Sequence, residues 1–161
     1  MTEAPFTSAP RAAALIATLG GLGRIGPGPG TLGSLATLPI TWYVSRGGIP
    51  ALVAFAAVAF ALGWWASALY VRNSRAQDPS EIIIDEVAGQ ALTLAFAPLA
   101  LNLWWTVAGF VLFRVFDIWK PWPVSLAERR LKGGLGVMAD DIVAALYAGV
   151  VLSVARLILA R

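Results

Sequence analysis

This sequence predicts an all-α membrane protein, a polytopic helical bundle with short hairpins and an acidic site that faces the cytoplasm. Three observations predict it. Apolar residues make up 58% of the chain and charged residues 13%, about half the charged share of an ordinary soluble domain. Apolar stretches recur along the chain, two of them close to the roughly 20 residues that span a bilayer. The nine acidic residues gather in three places: four within 78–86, one at Asp117 and two at Asp140-Asp141, with only Glu3 and Glu128 elsewhere. Carboxylates at the ends of such segments are costly to desolvate unless they pair, ligate a metal or face water. The three clusters are therefore expected to meet at one membrane face around a divalent cation.

At 161 residues the chain is expected to be one domain over 1–161. Its net charge of +3 includes twelve Lys and Arg that never form a run of five or six. That suits basic loops beside a membrane and gives no nucleic-acid-binding face. Mean hydropathy is +0.75. Cys and His are both absent, which excludes thiol nucleophiles, disulfides, Cys/His zinc sites, phosphohistidine intermediates and imidazole bases. Chemistry is left to carboxylates, hydroxyls, Lys, Arg, backbone amides or a hard metal held by oxygen.

Residues 1–11 are polar and Pro-bearing, and are expected to be mobile. Residues 12–19 are apolar but too few to cross a bilayer, so they read as a surface-lying or packed helix rather than a signal peptide. Residues 20–34 hold seven Gly and two Pro, a loop expected to end at Thr31 or Ser34, either of which can N-cap the next helix. It is either an ordinary connector or a nest whose N–H groups, with Thr31, Ser34 and Arg24, grip a phosphate at a helix N-terminus. A Walker loop is excluded, because no Lys-Ser/Thr follows its final Gly.

Residues 35–44 and 51–71 are apolar and flank a turn at 46–50, which predicts a helical hairpin. Its first arm, if it starts at Thr31, is roughly 22 Å long, short for a hydrocarbon core of about 30 Å. Arg72 and Arg75 precede the acidic stretch. Two more apolar segments, 87–100 and 103–116, follow. Lys120-Pro-Trp-Pro stops the second, 125–132 is charged, 133–136 reads as a flexible turn, and 142–159 is a last helix of spanning length. The Trp residues read as interfacial belts and packing. Segments 72–86 and 120–141 hold six of the twelve positive residues and lie two apolar segments apart. They are thus expected on one side, the cytoplasmic one, together with the Gly-rich loop.

Asp78-Pro79-Ser80-Glu81 has the form of a capping box, with Asp78 as N-cap and Glu81 at N3. Capping does not explain Asp85 and Glu86. On a continuing helix Asp78, Glu81 and Asp85 share a face, where like charges repel and a cation would turn repulsion into ligation. Asp117 follows Arg114 by three residues, which permits a plain ion pair, and stands one turn before Lys120. A carboxylate, an Arg and a Lys together also suit a site binding metal and phosphate at once. Lys120 could equally be a snorkelling anchor. Asp140 and Asp141 open the last predicted helix, where one acid would suffice as a cap.

Four segments in order, GPGPGTLGS (26–34), DPSEIIIDEVAG (78–89), FRVFDIWKPWP (113–123) and GGLGVMADDIVAA (133–145), resemble the phosphatidylglycerophosphatase A family. Its motifs have the form of an APGT-like loop, an acidic IDE segment, an FRxFDxxKP helix end and a GVMxDD helix start. The likeness runs from about residue 20 to 150. One departure is visible, Gly28 where the loop commonly carries Ala. The resemblance implies a helical, Mg²⁺-dependent phosphatase of the bacterial inner membrane, acting on a phospholipid in the bilayer. It would remove the terminal phosphate of phosphatidylglycerol phosphate to give phosphatidylglycerol.

On that reading Asp85, Glu86, Asp117, Asp140 and Asp141 supply the Mg²⁺ shell, directly or through water. Lys120 and Arg114 hold the phosphoryl oxygens, helped by backbone amides from Gly30 to Ser34. Asp78 orients the water or completes the shell, and Thr31 as a covalent nucleophile is a lesser alternative. The rivals are a small membrane transporter, which needs acids spread through membrane depth, and a different phospholipid phosphatase or phosphotransferase. The phosphotransferase's run of Asp, Gly and Arg followed by spaced Asp is missing.

Overall fold

A computed structural model describes residues 9–74, 76, 79–97 and 102–159. Most of the N-terminal segment expected to be mobile (1–8) lies outside the described residues, as does Asp78. The regular structure described is entirely helical.

Helix α1, Arg11–Ala17, packs on the second arm of the hairpin and buries Ala13 and Ala17 completely. It is a packed helix, one of the two forms expected. The Gly-rich loop then makes one 3-10 turn, Leu22–Arg24, and ends earlier than expected: α2 is Pro29–Val44, entered through Gly28 at φ +77°. Neither Thr31 nor Ser34 caps it. A left-handed Gly turns the chain, and Pro29 at the first helical position supplies a φ already suited to a helix. A 3-10 turn, Ser45–Gly47, links α2 to α3, Gly48–Arg72, which completes the hairpin.

Helix α4, Ile84–Ala95, starts five residues later than the capping box predicts. Residues 79–83 turn instead, and the Ile83 N–H donates to the Ala17 carbonyl at the end of α1 at 2.9 Å. Ile82 and Ile83 are buried there. β-Branched side chains favour such non-helical backbone, and docking on α1 outweighs the local capping signal. Glu81 and Asp85 therefore do not share a helix face. Asp85 and Glu86 occupy the first turn of α4, where the helix dipole favours negative charge.

Helix α5, Leu103–Trp119, is N-capped by the Asn102 side chain, which accepts from the Trp105 N–H at 3.0 Å. Lys120 ends it at φ +46°. A short helix, α6, Val124–Arg130, lies in the charged segment, and α7 runs over Gly133–Leu159. The flexible turn expected at 133–136 is helix. Asp140 and Asp141 consequently lie about two turns inside α7, not at its start. The glycines serve packing: a Cβ on Gly134 would overlap the backbone of α3 at Trp64 and Ala68, so α7 can approach α3 closely.

Helix α4 is the centre. Ten of its twelve residues are buried, and it packs against α2, α3, α5 and α7. Outward faces are apolar instead, with Trp42, Val58, Trp64, Val111, Val150 and Leu157 exposed. Two helical stretches, Pro29–Arg72 and Gly133–Leu159, are long and apolar enough to cross a membrane. The starts of α2, α4 and α7 and the ends of α3 and α5 lie toward one end of the bundle, as the contacts between them require.

Candidate active site

At that end the sequence-distant acids meet. A cavity of about 290 Å³ is lined by Asp85 and Glu86 from α4, Arg114 and Asp117 from α5, Lys120 after it, and Asp140 and Asp141 from α7. Pro29 and Gly30 from α2, Ser80 and Ile82 from the turn and Ile118 from α5 complete the wall. Thr31 and Ser34 do not line it. The helical starts of α2 and α4 bring Gly30 and Glu86 together so tightly that a Cβ on Gly30 would collide with the Glu86 carboxylate and press on Arg114.

One carboxylate oxygen from each of Asp117, Asp140 and Asp141 lies within 4.8 Å of the other two. All three residues are buried, at 9%, 6% and 3% exposure. Opposite ligands of Mg²⁺, each at 2.0–2.1 Å, stand about 4 Å apart, so this cluster is of the right size for one hard cation. Asp141 Oδ2 is buried without a hydrogen-bond partner among the described residues. A buried carboxylate oxygen in that condition is costly, and a cation would satisfy it. The donor set is all oxygen, as Mg²⁺ requires.

The basic residues are held by the acids. Arg114 Nη1 donates to Glu86 Oε1 and also stands 2.9 Å from Asp117 Oδ2. The Glu86 second oxygen accepts from the Ser34 hydroxyl at 2.6 Å. Ser34, expected near phosphate, stands behind the cavity lining as a hydrogen-bond donor to Glu86. Lys120 Nζ donates to Asp140 Oδ2 at 2.8 Å; its left-handed backbone turns the chain so that the ammonium points inward rather than snorkelling away. Formally, five carboxylates face two cations in this cavity. Such an excess of buried negative charge calls for positive charge from outside the chain.

Ser80 and Ile82 were not singled out by sequence as site residues. Ser80 reaches the cavity because 79–83 is not helical, and the run of three isoleucines was the available signal. Arg24 lies away from the acidic cavity, 3.7 Å from Glu81 and 3.3 Å from the Tyr70 hydroxyl.

The family model of phosphatidylglycerophosphatase A matches residues 15–156, a span that includes every lining residue. The chain belongs to the phosphatidylglycerophosphatase A family. A phosphatidylglycerophosphatase A of Haemophilus influenzae is 38% identical over 138 residues, 85% of this chain and 84% of its own. That of Escherichia coli is 38% identical over 120 residues, 72% and 67% respectively. A protein of Bacteroides thetaiotaomicron, provisionally named a phosphatidylinositol-3-phosphatase, is 40% identical over 95 residues, 58% of each chain. No solved structure matches. Within a phosphatidylglycerophosphatase A chain, the four motifs each contribute to the lining of one cavity: Pro29 and Gly30 from the Gly-Pro loop, Asp85 and Glu86 from the IDE segment, Arg114, Asp117 and Lys120 from FRxFDxxKP, and Asp140 and Asp141 of α7.

Proposed function

We propose that this chain hydrolyses the terminal phosphomonoester of phosphatidylglycerol phosphate, yielding phosphatidylglycerol and phosphate, with Mg²⁺ held in the acidic cavity. The observation that carries this reading is the buried Asp117–Asp140–Asp141 cluster beside Arg114 and Lys120, in a member of a family named for that activity. The three aspartates would hold the ion, with Asp85 and Glu86 completing its shell through water. Mg²⁺ supplies charge neutralisation of the phosphoryl group and a more acidic water.

The chain's own residues do the rest. Arg114 and Lys120 are aimed into the cavity by their carboxylate partners and bind the non-bridging phosphoryl oxygens. A carboxylate of the cavity takes the proton of the attacking water as its oxygen bonds to phosphorus and the phosphorus–oxygen bond to glycerol breaks; that proton then passes to the glycerol oxygen, which leaves as the alcohol. Asp78, outside the described residues, keeps its proposed role of orienting water. The exposed apolar faces of α2, α3 and α7 keep the bundle in the bilayer, with α4 and α5 as a shorter hairpin. The excess of Lys and Arg in 72–86 and 120–141 supports a cavity that faces the cytoplasm, and the family resemblance supports the bacterial inner membrane. A transporter is disfavoured because the acids collect at one end of the bundle.

Phosphate release from dihexanoyl phosphatidylglycerol phosphate in detergent tests this. Release is expected with Mg²⁺ and not with EDTA, and Asp117→Asn or Asp141→Asn should lower kcat at least about 100-fold. Release that persists in EDTA would defeat the metal role. Equal turnover of unrelated lipid phosphomonoesters would remove the named substrate.

A further inference from the structure

The acidic cavity has a neighbour. A cleft of about 500 Å³, lined by Gly23, Arg24, Gly26, Pro29, Ser80 and Glu81, shares Pro29 and Ser80 with it. Among the described residues that line this second cleft, the cation is Arg24. By sequence it falls with Thr31 and Ser34 in a loop that reads as either a connector or a phosphate nest; in the structure it contacts Glu81 and Tyr70, while Ser34 bonds Glu86. We propose that Arg24 and this cleft hold the second phosphate of the lipid headgroup, the phosphodiester that survives the reaction; the inference rests on the substrate reading above.

A headgroup whose monoester enters the acidic cavity carries its diester one glycerol away. That monoanion must lie in whichever space adjoins the cavity. Within the cavity Arg114 and Lys120, which pair with Glu86, Asp117 and Asp140, are taken up by the monoester on that reading, so the diester needs another cation. Across Pro29 and Ser80 stands Arg24, with 55% of its side chain exposed.

Arg24 can change partners. Its contact with Glu81 is long, 3.7 Å, between side chains about half exposed, and an open ion pair of that kind contributes little. A phosphodiester offers the guanidinium two oxygens in a matching plane. Glu81 would not be stranded, because it also accepts the Tyr70 hydroxyl. Hydrogen bonding to Tyr70, more than the Glu81 charge, pushes the Arg24 guanidinium above its ordinary value, so it stays cationic.

A purely structural role is the competing account: Arg24, Glu81 and Tyr70 would then simply latch the Gly-rich loop to α3. Steady-state kinetics on detergent-solubilised full-length protein separate the two, because the two products divide the two phosphates. Dihexanoyl phosphatidylglycerol retains the diester, and orthophosphate mimics the monoester. Arg24→Gln is expected to raise KM for dihexanoyl phosphatidylglycerol phosphate about tenfold with kcat within about twofold. The inhibition constant of dihexanoyl phosphatidylglycerol should rise by the same factor and that of orthophosphate should not change. Arg24→Lys should recover part of the loss. Glu81→Gln, which leaves Tyr70 a partner and removes the competing charge, should lower KM about threefold.

A lower kcat with KM and the phosphatidylglycerol constant unchanged would overturn the subsite in favour of the latch. Equal weakening of orthophosphate would show that Arg24 serves the monoester and would also overturn it. If the wild-type protein releases no phosphate from the lipid at all, the substrate reading itself fails, a result distinct from either.

Discussion

Arg114 is the side chain on which the acidic cavity closes, because one guanidinium nitrogen faces both Glu86 and Asp117. A planar fork can serve two carboxylates while leaving other N–H groups for phosphate, and an ammonium cannot do so in the same geometry. Arg114→Lys is thus expected to lower kcat/KM about 10- to 100-fold even though charge is kept, measurable with short-chain lipid. Gly30→Ala should lower activity by a comparable factor, since the added methyl displaces the Glu86 carboxylate. An unchanged rate in either variant would contradict the described packing. Much of this was legible in the chain. Asp117, Asp140 and Asp141 stood out because acids are rare in so apolar a sequence, and Arg114 because it sits three residues before Asp117. Ser34 was legible as polar but not in its role. Its partner Glu86 is 52 residues away, and only the packing of α2 against α4 brings the two together.

Helix positions follow from small and polar residues as much as from large apolar ones. Along α2, Ser34, Thr37 and Thr41 are buried. The hydroxyls of Thr37 and Thr41 donate to carbonyls one turn earlier, at 2.8 and 3.0 Å, which hides their polarity within the helix. Across from α3, Gly134 allows α7 to bring Asp140 and Asp141 to the level of Asp117. Gly134→Val is expected to push α7 outward, lowering thermal stability by roughly 1–3 kcal/mol and activity with it. A thermal melt in detergent reads the first and phosphate release the second; an unaltered melt would count against this packing. Sequence placed the start of α2 a few residues late and misplaced the starts of α4 and α7 by more. The capping box at 78–81 and the glycines at 133–136 are sound local signals for a helix start and a turn. Each lost to a tertiary contact, the docking of Ile83 on α1 and the approach of α7 to α3, that no local pattern encodes.

The molecule as a whole presents an apolar exterior and a largely apolar core, with a charged cavity at one end. Composition alone announced the exterior, and the co-linear motifs announced that the acids would meet. Sidedness is testable because the chain has no Cys. A single Cys at exposed Ala76, near the cavity end, and another at exposed Arg46, in the α2–α3 turn, should react with a membrane-impermeant maleimide from opposite faces, Arg46→Cys in intact spheroplasts and Ala76→Cys only after lysis. Labelling of both from the outside would refute the proposed orientation. The central claim, that Asp117, Asp140 and Asp141 together hold a divalent cation, is tested most directly by Mn²⁺ titration followed by electron paramagnetic resonance. The wild-type protein should bind Mn²⁺ with Mg²⁺ competing, and Asp117→Asn or Asp141→Asn should weaken binding at least about tenfold. Equal Mn²⁺ binding by the wild-type and both folded variants would contradict it.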